Sequence, residues 1–337
     1  MSVQSLAYQP TKNIKNTRKS HHQEISYSRN LLQKMGGNWH QRAQVKTKID
    51  QQSHPELIFD TTKDDFRIDL LPFKSHPDFL AAPLEIQKKI LSAGWIAYNE
   101  KTIDIESKVI TPACNHIIYR NIPGVDDGIS QEIASETLVD EAYHVLLVIN
   151  ACRMTRENRG LQSLRLPEFN LVRNMQIEQD CYAETWQKTL VQVATAIVSE
   201  VFISDYLDLL ANDTTIQPFN RVTVATHKRD ELAHAGIFKH LAKCIYSELN
   251  QQQKEFFIEV LPKPVLWFAN VELRVWQAIL EQIGFAKTES VIADCAATNE
   301  VNLLRIDYTE LIDLAQEMGI LESQRGIDSF SKAGLFN

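Results

Sequence analysis

Apolar residues recur every three or four positions along most of the chain beyond residue 83, which is the spacing of one buried helical face. This pattern predicts four long helices, over residues 84–119, 130–156, 173–210 and 218–249, the first of them interrupted near Pro112. Shorter helices are predicted over residues 265–284, 288–301 and 302–319. No stretch alternates apolar and polar residues as a half-buried strand does, so the pattern predicts an all-α fold.

The first fifty residues depart from this pattern because they are polar and basic. Nine lysines and arginines stand there against only Glu24 and Asp50. Residues 29–50 have the spacing of one amphipathic helix. We predict a flexible, solvated leader over residues 1–50, with a nucleic-acid or partner-binding arm as the alternative, and a single domain over residues 51–337.

A five-residue motif, Asp-Glu-x-x-His, occurs twice, at residues 140–144 and 230–234. Its Glu and His share one helical face because they are three residues apart. Glu106 and Glu200 lie in the preceding predicted helices, 35 and 31 residues before the motif glutamates. A carboxylate from each of two helices and Glu-x-x-His from each of two others form the ligand set of ferritin-like di-iron or di-manganese bundles. The candidate ligands are therefore Glu106, Glu141, His144, Glu200, Glu231 and His234. The predicted fold is a ferritin-like four-helix bundle with additional helices.

These ligands fall on apolar helical faces, where uncompensated burial of several charges would cost on the order of tens of kcal/mol. Two bound cations supply the compensation. About one Glu-x-x-His is expected by chance at this Glu and His content, and a single copy would be better explained as a core or surface ion pair. Two copies with matching upstream glutamates favour a metal pair.

The aspartate of each motif is predicted to support the histidine of the opposite half, Asp140 with His234 and Asp230 with His144. Metal-bound histidines usually donate their second N–H to a carboxylate, which fixes the orientation of the ring. Exposure of both aspartates is the alternative.

His227 extends only the second copy of the motif. It lies four residues before Glu231 and seven before His234, so all three share one helical face. We predict that His227 is a seventh metal ligand, and the alternative is a hydrogen-bonded core histidine.

Composition and charge argue against several other classes of partner, site and cofactor. The net charge of −8 argues against a nucleic-acid partner. The five cysteines form no Cys-x-x-Cys pair, so neither a zinc ribbon nor a disulfide framework is predicted. No stretch approaches eighteen apolar residues and the N-terminus lacks the apolar core of a signal peptide, so a cytoplasmic protein without a membrane span is expected. Glycine-rich nucleotide motifs are absent, so no organic cofactor is predicted.

The pattern of Glu106, Glu141-x-x-His144, Glu200 and His227-x-x-x-Glu231-x-x-His234 resembles that of di-iron arylamine N-oxygenases, the family typified by p-aminobenzoate N-oxygenase. The resemblance covers about residues 80–320. It implies a centre of two iron ions, or of manganese, that uses O₂ to convert an amine substrate to a hydroxylamine, nitroso or nitro product. It also implies an external electron donor and a homodimer.

The same resemblance implies roles for individual residues. Glu106 and His144 would bind one iron, Glu200, His227 and His234 the other, and Glu141 and Glu231 would bridge. Arg305, supported by Tyr98 and Asn99, would hold the carboxylate of an aromatic substrate, and a surface arginine is the alternative. Aryl, aliphatic and carrier-bound amines all remain open as substrates.

Three alternatives to N-oxygenation are open. The same metal pair could catalyse C–H hydroxylation or desaturation, or the chain could store iron without catalysis. The predicted helices after residue 265 and the additional His227 count against simple storage. A helical interaction protein without metal would require the repeated motif to be accidental.

Overall fold

The computed structural model describes residues 17–46, 58–297 and 307–335. Within these ranges the secondary structure is helical, and the only strand-like pairing is a single bridge between Asp64 and Ile216. The predicted all-α, ferritin-like class is therefore confirmed.

The helices of the N-terminal half, in chain order, are α1 (Thr17–Gly37), α2 (Trp39–Arg42), α3 (Pro77–Leu80), α4 (Leu84–Asp104), α5 (Thr111–Ile118) and α6 (Gly128–Arg159). Those that follow are α7 (Asn170–Asp180), α8 (Thr185–Ala211), α9 (Pro218–Glu248), α10 (Gln251–Val260), α11 (Lys263–Phe268), α12 (Leu273–Ile283), α13 (Thr288–Ala297), α14 (Thr309–Glu317) and α15 (Gln324–Lys332). Short 3₁₀ turns lie at Gln44–Lys46, Ile68–Leu70 and Ile320–Glu322, and a π-helical segment, Ile105–Ile110, joins α4 to α5.

The central bundle consists of α4 with its continuation α5, α6, α8 and α9, and α8 is its most buried member. Every residue from Thr189 to Ile203 on α8 is buried. Among the described helices, α8 alone is long and apolar enough to cross a membrane by length and composition, but 89% of its most apolar window is buried inside the protein. A helix that is apolar on all sides and packed on all sides is the core of a bundle.

Several helix boundaries differ from the predicted ones. The helix predicted over residues 265–284 is divided into α11 and α12 by a break at residues 269–272. The helix predicted over residues 173–210 is divided into α7 and α8 by a break at residues 181–184. The N-cap of α6 is Asp127, whose carboxylate accepts the Ser130 N–H at 2.9 Å, so α6 begins two residues before the predicted start at residue 130.

The leader predicted over residues 1–50 needs correction for residues 17–46, which form α1, α2 and a 3₁₀ turn. Ser28 and Leu32 of α1 are buried against the bundle, where the helix packs on α6 and α9. Gly236 of α9 allows the close approach, because a Cβ there would lie 3.0 Å from Met35 Cε. Residues 1–16 and 47–50 lie outside the described residues, so the leader remains a prediction there.

Candidate metal centre

The structure brings all seven predicted ligands together inside the bundle. Their ligand atoms form two groups, within each of which all atoms lie within 4.8 Å of one another. The first group consists of Glu106, His144, His227 and Glu231, and the second of Glu141, Glu200 and His234. None of the seven side chains is more than 2% exposed.

The π-helical segment positions Glu106. Because Pro112 has no N–H, the carbonyl of Lys108 has no partner one turn further along the helix. The side-chain amide of Gln192 on α8 takes its place, donating to the carbonyls of Lys108 at 3.1 Å and Val109 at 2.8 Å. The interruption predicted near Pro112 is thus a π-helical segment, a feature that often accompanies functional sites.

Glu141 and Glu231 lie between the two groups. Glu141 contacts His144 Nδ1 at 2.9 Å and His234 Nδ1 at 3.1 Å. Glu231 contacts the same two nitrogens at 3.1 Å and 3.4 Å. Two carboxylates that each reach both histidines have the placement that bridging ligands require.

The position of His227 corrects the assignment implied by the resemblance. His227 Nε2 lies 2.8 Å from Glu231 Oε1 and 3.3 Å from Glu106 Oε1, and the rings of His227 and His144 are 4.0 Å apart. It therefore belongs with Glu106 and His144, rather than with Glu200 and His234. The reason is the helical rise, since seven residues separate His227 from His234 by about 10.5 Å along α9.

The two motif aspartates support the histidines of the opposite helix. His144 Nε2 lies 3.2 Å from Asp230 Oδ2, and His234 Nε2 lies 3.2 Å from Asp140 Oδ2. Both carboxylates are fully buried. Because each Nε2 faces an aspartate, each Nδ1 is directed at Glu141 and Glu231, where a metal ion would bind.

The surroundings of two of the glutamates favour the protonated carboxyl group. Burial raises the pKa of Glu106 well above its ordinary value, and the nearby carboxylate of Glu141 raises it further. Burial and the carboxylate of Glu231 likewise raise the pKa of Glu200 well above its ordinary value. Four ionised carboxylates cannot share this volume unless positive charge is supplied.

The two supported histidines provide part of that positive charge. Burial works to lower the pKa of His144, but hydrogen bonds to Asp230 and Glu141 raise it well above its ordinary value. Burial also opposes the charge on His234, yet the carboxylates of Glu141 and Glu231 raise its pKa well above its ordinary value. Burial and Glu231 oppose ionisation of Glu141, and the His234 charge among other contacts outweighs them and lowers the pKa of Glu141 to about 2.

The chemistry of the donor atoms fits a metal pair. Four buried carboxylate oxygens make no aligned hydrogen bond among the described residues: Glu106 Oε2, Glu141 Oε1, Glu200 Oε2 and Glu231 Oε2. The last three lie 3.1, 4.0 and 3.4 Å from His234 Nδ1. Buried polar atoms are almost always satisfied in folded proteins. A cluster of buried carboxylate oxygens that lack aligned donors fits a cation site, and carboxylate with imidazole is a ligand set that iron and manganese accept.

The N-terminal segment contributes contacts that the sequence did not predict. Trp39 Nε1 donates to Asp140 Oδ2 at 2.9 Å, and the main-chain N–H of Gln44 donates to Asp230 Oδ1 at 3.1 Å. Arg42 Nη1 lies 3.5 Å from Asp140 Oδ2. The only sequence signal was the excess of basic residues, which does not identify these contacts.

Of the three predicted substrate residues, the structure describes Tyr98 and Asn99, and both donate to main-chain carbonyls. Tyr98 donates to the Tyr206 carbonyl at 3.0 Å and lines a cavity of about 80 Å³ beside α4 and α8. Asn99 is buried and donates to the carbonyl of Trp95 at 2.8 Å. Arg305 lies outside the described residues. Their substrate-binding role remains a prediction.

Residues 26–319 match a protein family described as p-aminobenzoate N-oxygenase AurF. A 4-aminobenzoate N-oxygenase from Streptomyces thioluteus is 29% identical over 284 residues, which is 84% of the present chain and 84% of that relative. The match begins within α1 and extends beyond the last candidate ligand, so it contains the whole candidate centre.

Proposed function

The chain belongs to the p-aminobenzoate N-oxygenase AurF family, and from this membership we propose that it is a non-haem di-iron monooxygenase that oxidises the nitrogen of an amine with O₂. The name of the relative from Streptomyces thioluteus supports an amine nitrogen as the site of oxidation. The observation that carries the metal part of the proposal is the pair of buried groups of carboxylates and imidazoles.

The seven side chains divide into terminal and bridging ligands. Glu106, His144 and His227 would hold one ion, and Glu200 and His234 the other. Glu141 and Glu231 would bridge, because each contacts histidines of both groups. When bound, two iron ions supply O₂ activation and accept electrons from an outside donor. The anionic glutamates stabilise the higher charge of the oxidised metal pair.

The protein also controls access and orientation around the ligands. Burial of all seven side chains excludes bulk water, which strengthens electrostatic interactions inside the site. Asp140 and Asp230 hold the Nε2 protons of the two supported histidines, so the Nδ1 atoms remain directed inward.

We place substrate entry at the cavity beside α4 and α8. Stacked rings of Tyr98 and Tyr206, with centroids 4.3 Å apart, form part of its wall. Lys101 is buried in the same wall, and its Nζ lies 3.3 Å from Glu272 Oε1. Aromatic rings beside one buried ion pair give the mixture of apolar and polar groups that ligand sites commonly present.

The test combines metal analysis with product analysis. After reconstitution with ferrous iron, we expect about two irons per chain and conversion of aryl or aliphatic amines to hydroxylamine, nitroso or nitro compounds in the presence of O₂ and a reductant. The Glu141→Ala variant should lose this activity, while His116→Ala, a substitution outside the centre, should retain it. A chain that binds no iron would contradict the metal centre. Products oxidised only at carbon would contradict N-oxygenation and favour a hydroxylase or desaturase.

A further inference from the structure

Three residues that follow α1, namely Trp39, Arg42 and Gln44, contact both aspartates behind the candidate metal centre. We refer to these three residues as the N-terminal clamp. We propose that the N-terminal clamp positions Asp140 and Asp230, and through them sets how tightly each half of the centre holds its metal ion. This inference rests on the proposed metal pair and assigns positioning residues that lie outside the four bundle helices.

On one half, the clamp acts through Trp39. The indole N–H donates to Asp140 Oδ2 at 2.9 Å, and the same oxygen lies 3.2 Å from His234 Nε2. Trp39 is 7% exposed, so the indole is held within the packed segment and is not free at the surface. A displaced Asp140 carboxylate would release the His234 ring, whose Nδ1 faces Glu141 and Glu231.

On the other half, the clamp acts through the main chain. The N–H of Gln44 donates to Asp230 Oδ1 at 3.1 Å and lies 3.2 Å from Oδ2. Asp230 Oδ2 lies 3.2 Å from His144 Nε2. A main-chain donor survives side-chain substitution, so the two halves respond differently to mutation. Replacing Trp39 removes a donor from the His234 half alone.

Arg42 connects the two halves electrostatically. Its Nη1 lies 3.5 Å from Asp140 Oδ2 and 4.0 Å from Asp230 Oδ1, and both aspartate side chains are fully buried. Among the described lysines and arginines, Arg42 is the one within ion-pair distance of these carboxylates. Its charge attracts both carboxylates, which accept the histidine N–H groups.

The N-terminal segment that carries the clamp is not one of the bundle helices, and it approaches the centre by packing against two of them. α1 lies against α6 and α9, which carry the two motifs, and the 3₁₀ turn containing Gln44 contacts the same two helices. Partners of metal-binding histidines commonly change metal affinity by about 10- to 100-fold when altered. Because the N-terminal clamp contacts the aspartates and not the histidines themselves, we expect its removal to change metal affinity by an amount near the lower end of this range.

The first experiment compares Trp39→Phe with Trp267→Phe in the full chain. Both variants remove one indole N–H and keep a ring, but Trp267 lies outside the centre and is half-buried. Anaerobic ferrous titrations should show that Trp39→Phe weakens one of the two binding steps about tenfold and leaves the other within about twofold. Trp267→Phe should match the wild-type chain.

A second readout separates positioning from a loss of folding stability. Cobalt(II) absorption spectra should change for the weakened ion in Trp39→Phe, although both variants retain the wild-type helical content and similar melting temperatures. Arg42→Met should weaken both binding steps, because its charge lies near both aspartates.

Equal affinities and spectra in Trp39→Phe and Trp267→Phe, with two ions bound to the wild-type chain, would overturn the clamp and leave the proposed function intact. A lower melting temperature without any change in metal binding would also overturn it, since Trp39 would then be only structural. A wild-type chain that binds no ion pair would overturn the proposed function and the clamp together.

Discussion

Loading two ferrous ions into the candidate centre near neutral pH should release protons, up to about four per chain. Two of them come from the carboxyl groups of Glu106 and Glu200, whose pKa values burial raises well above the ordinary range. The other two come from His144 and His234, where carboxylate neighbours overcome the effect of burial and raise the pKa well above its ordinary value. Each histidine loses its Nδ1 proton and keeps the Nε2 proton that faces an aspartate.

This proton release sets the pH dependence of metal binding. All four groups have raised pKa values and are protonated below them, so metal ions compete with protons there. Binding should strengthen as the pH rises, by about tenfold per released proton for each pH unit. Lowering the pH by one unit should weaken metal binding by the same factor.

Calorimetric titration in buffers of different ionisation enthalpy measures the released protons directly. The wild-type chain should release up to about four protons on filling both positions. Glu200→Gln, which removes one carboxyl proton and one ligand of the second ion, should release fewer. Release of fewer than about two protons, or metal affinity that is independent of pH, would refute the charge distribution derived from the burial and contacts of these residues.

Further predictions concern single residues. His227→Ala should lower iron content from about two ions per chain towards one, whereas His116→Ala should not, and unchanged iron in both would identify His227 as a core histidine. Asp230→Asn should weaken metal binding by about 10- to 100-fold in ferrous titrations because it alters the partner of a ligand histidine, and wild-type affinity would contradict that role. Gly124→Ala should destabilise the fold by more than about 1 kcal/mol in denaturant unfolding, since Gly124 has a φ of +83° and a Cβ would lie 2.2 Å from the Cys244 carbonyl oxygen; an unchanged unfolding midpoint would contradict this close approach.

The candidate ligand set could be identified from sequence because the spacing of its residues within each helix is local information. Glu and His three residues apart share a helical face, and the repetition of the motif marked two such faces. The group of ligands to which His227 belongs could also have been predicted from sequence. A separation of seven residues already implies about 10.5 Å along the helix, which is too far for His227 and His234 to share one ion.

The N-terminal segment and the π-helical segment depend on contacts that are distant in sequence. The buried face of α1 exists only because α6 and α9 pack against it, and α1 itself has few apolar residues. The π-helical segment depends on Pro112 together with Gln192, which lies 80 residues further along the chain. The local spacing of apolar residues reveals neither the packing of α1 nor the contact of Gln192 with the π-helical segment.

Several expectations remain predictions. They are the homodimer, the cytoplasmic location, the external electron donor, and the choice among aryl, aliphatic and carrier-bound amines. The role of Arg305 belongs with them, because that residue lies outside the described part of the chain.

The most direct test of the central claim is mass spectrometry of the product formed under ¹⁸O₂. The iron-loaded protein, given a reductant and an aromatic amine such as 4-aminobenzoate, should yield a product with ¹⁸O bonded to nitrogen. The Glu141→Ala variant should yield none. Absence of ¹⁸O from the nitrogen in the iron-loaded wild-type chain across aryl and aliphatic amines, or its appearance only on carbon, would contradict the assignment as an amine N-oxygenase.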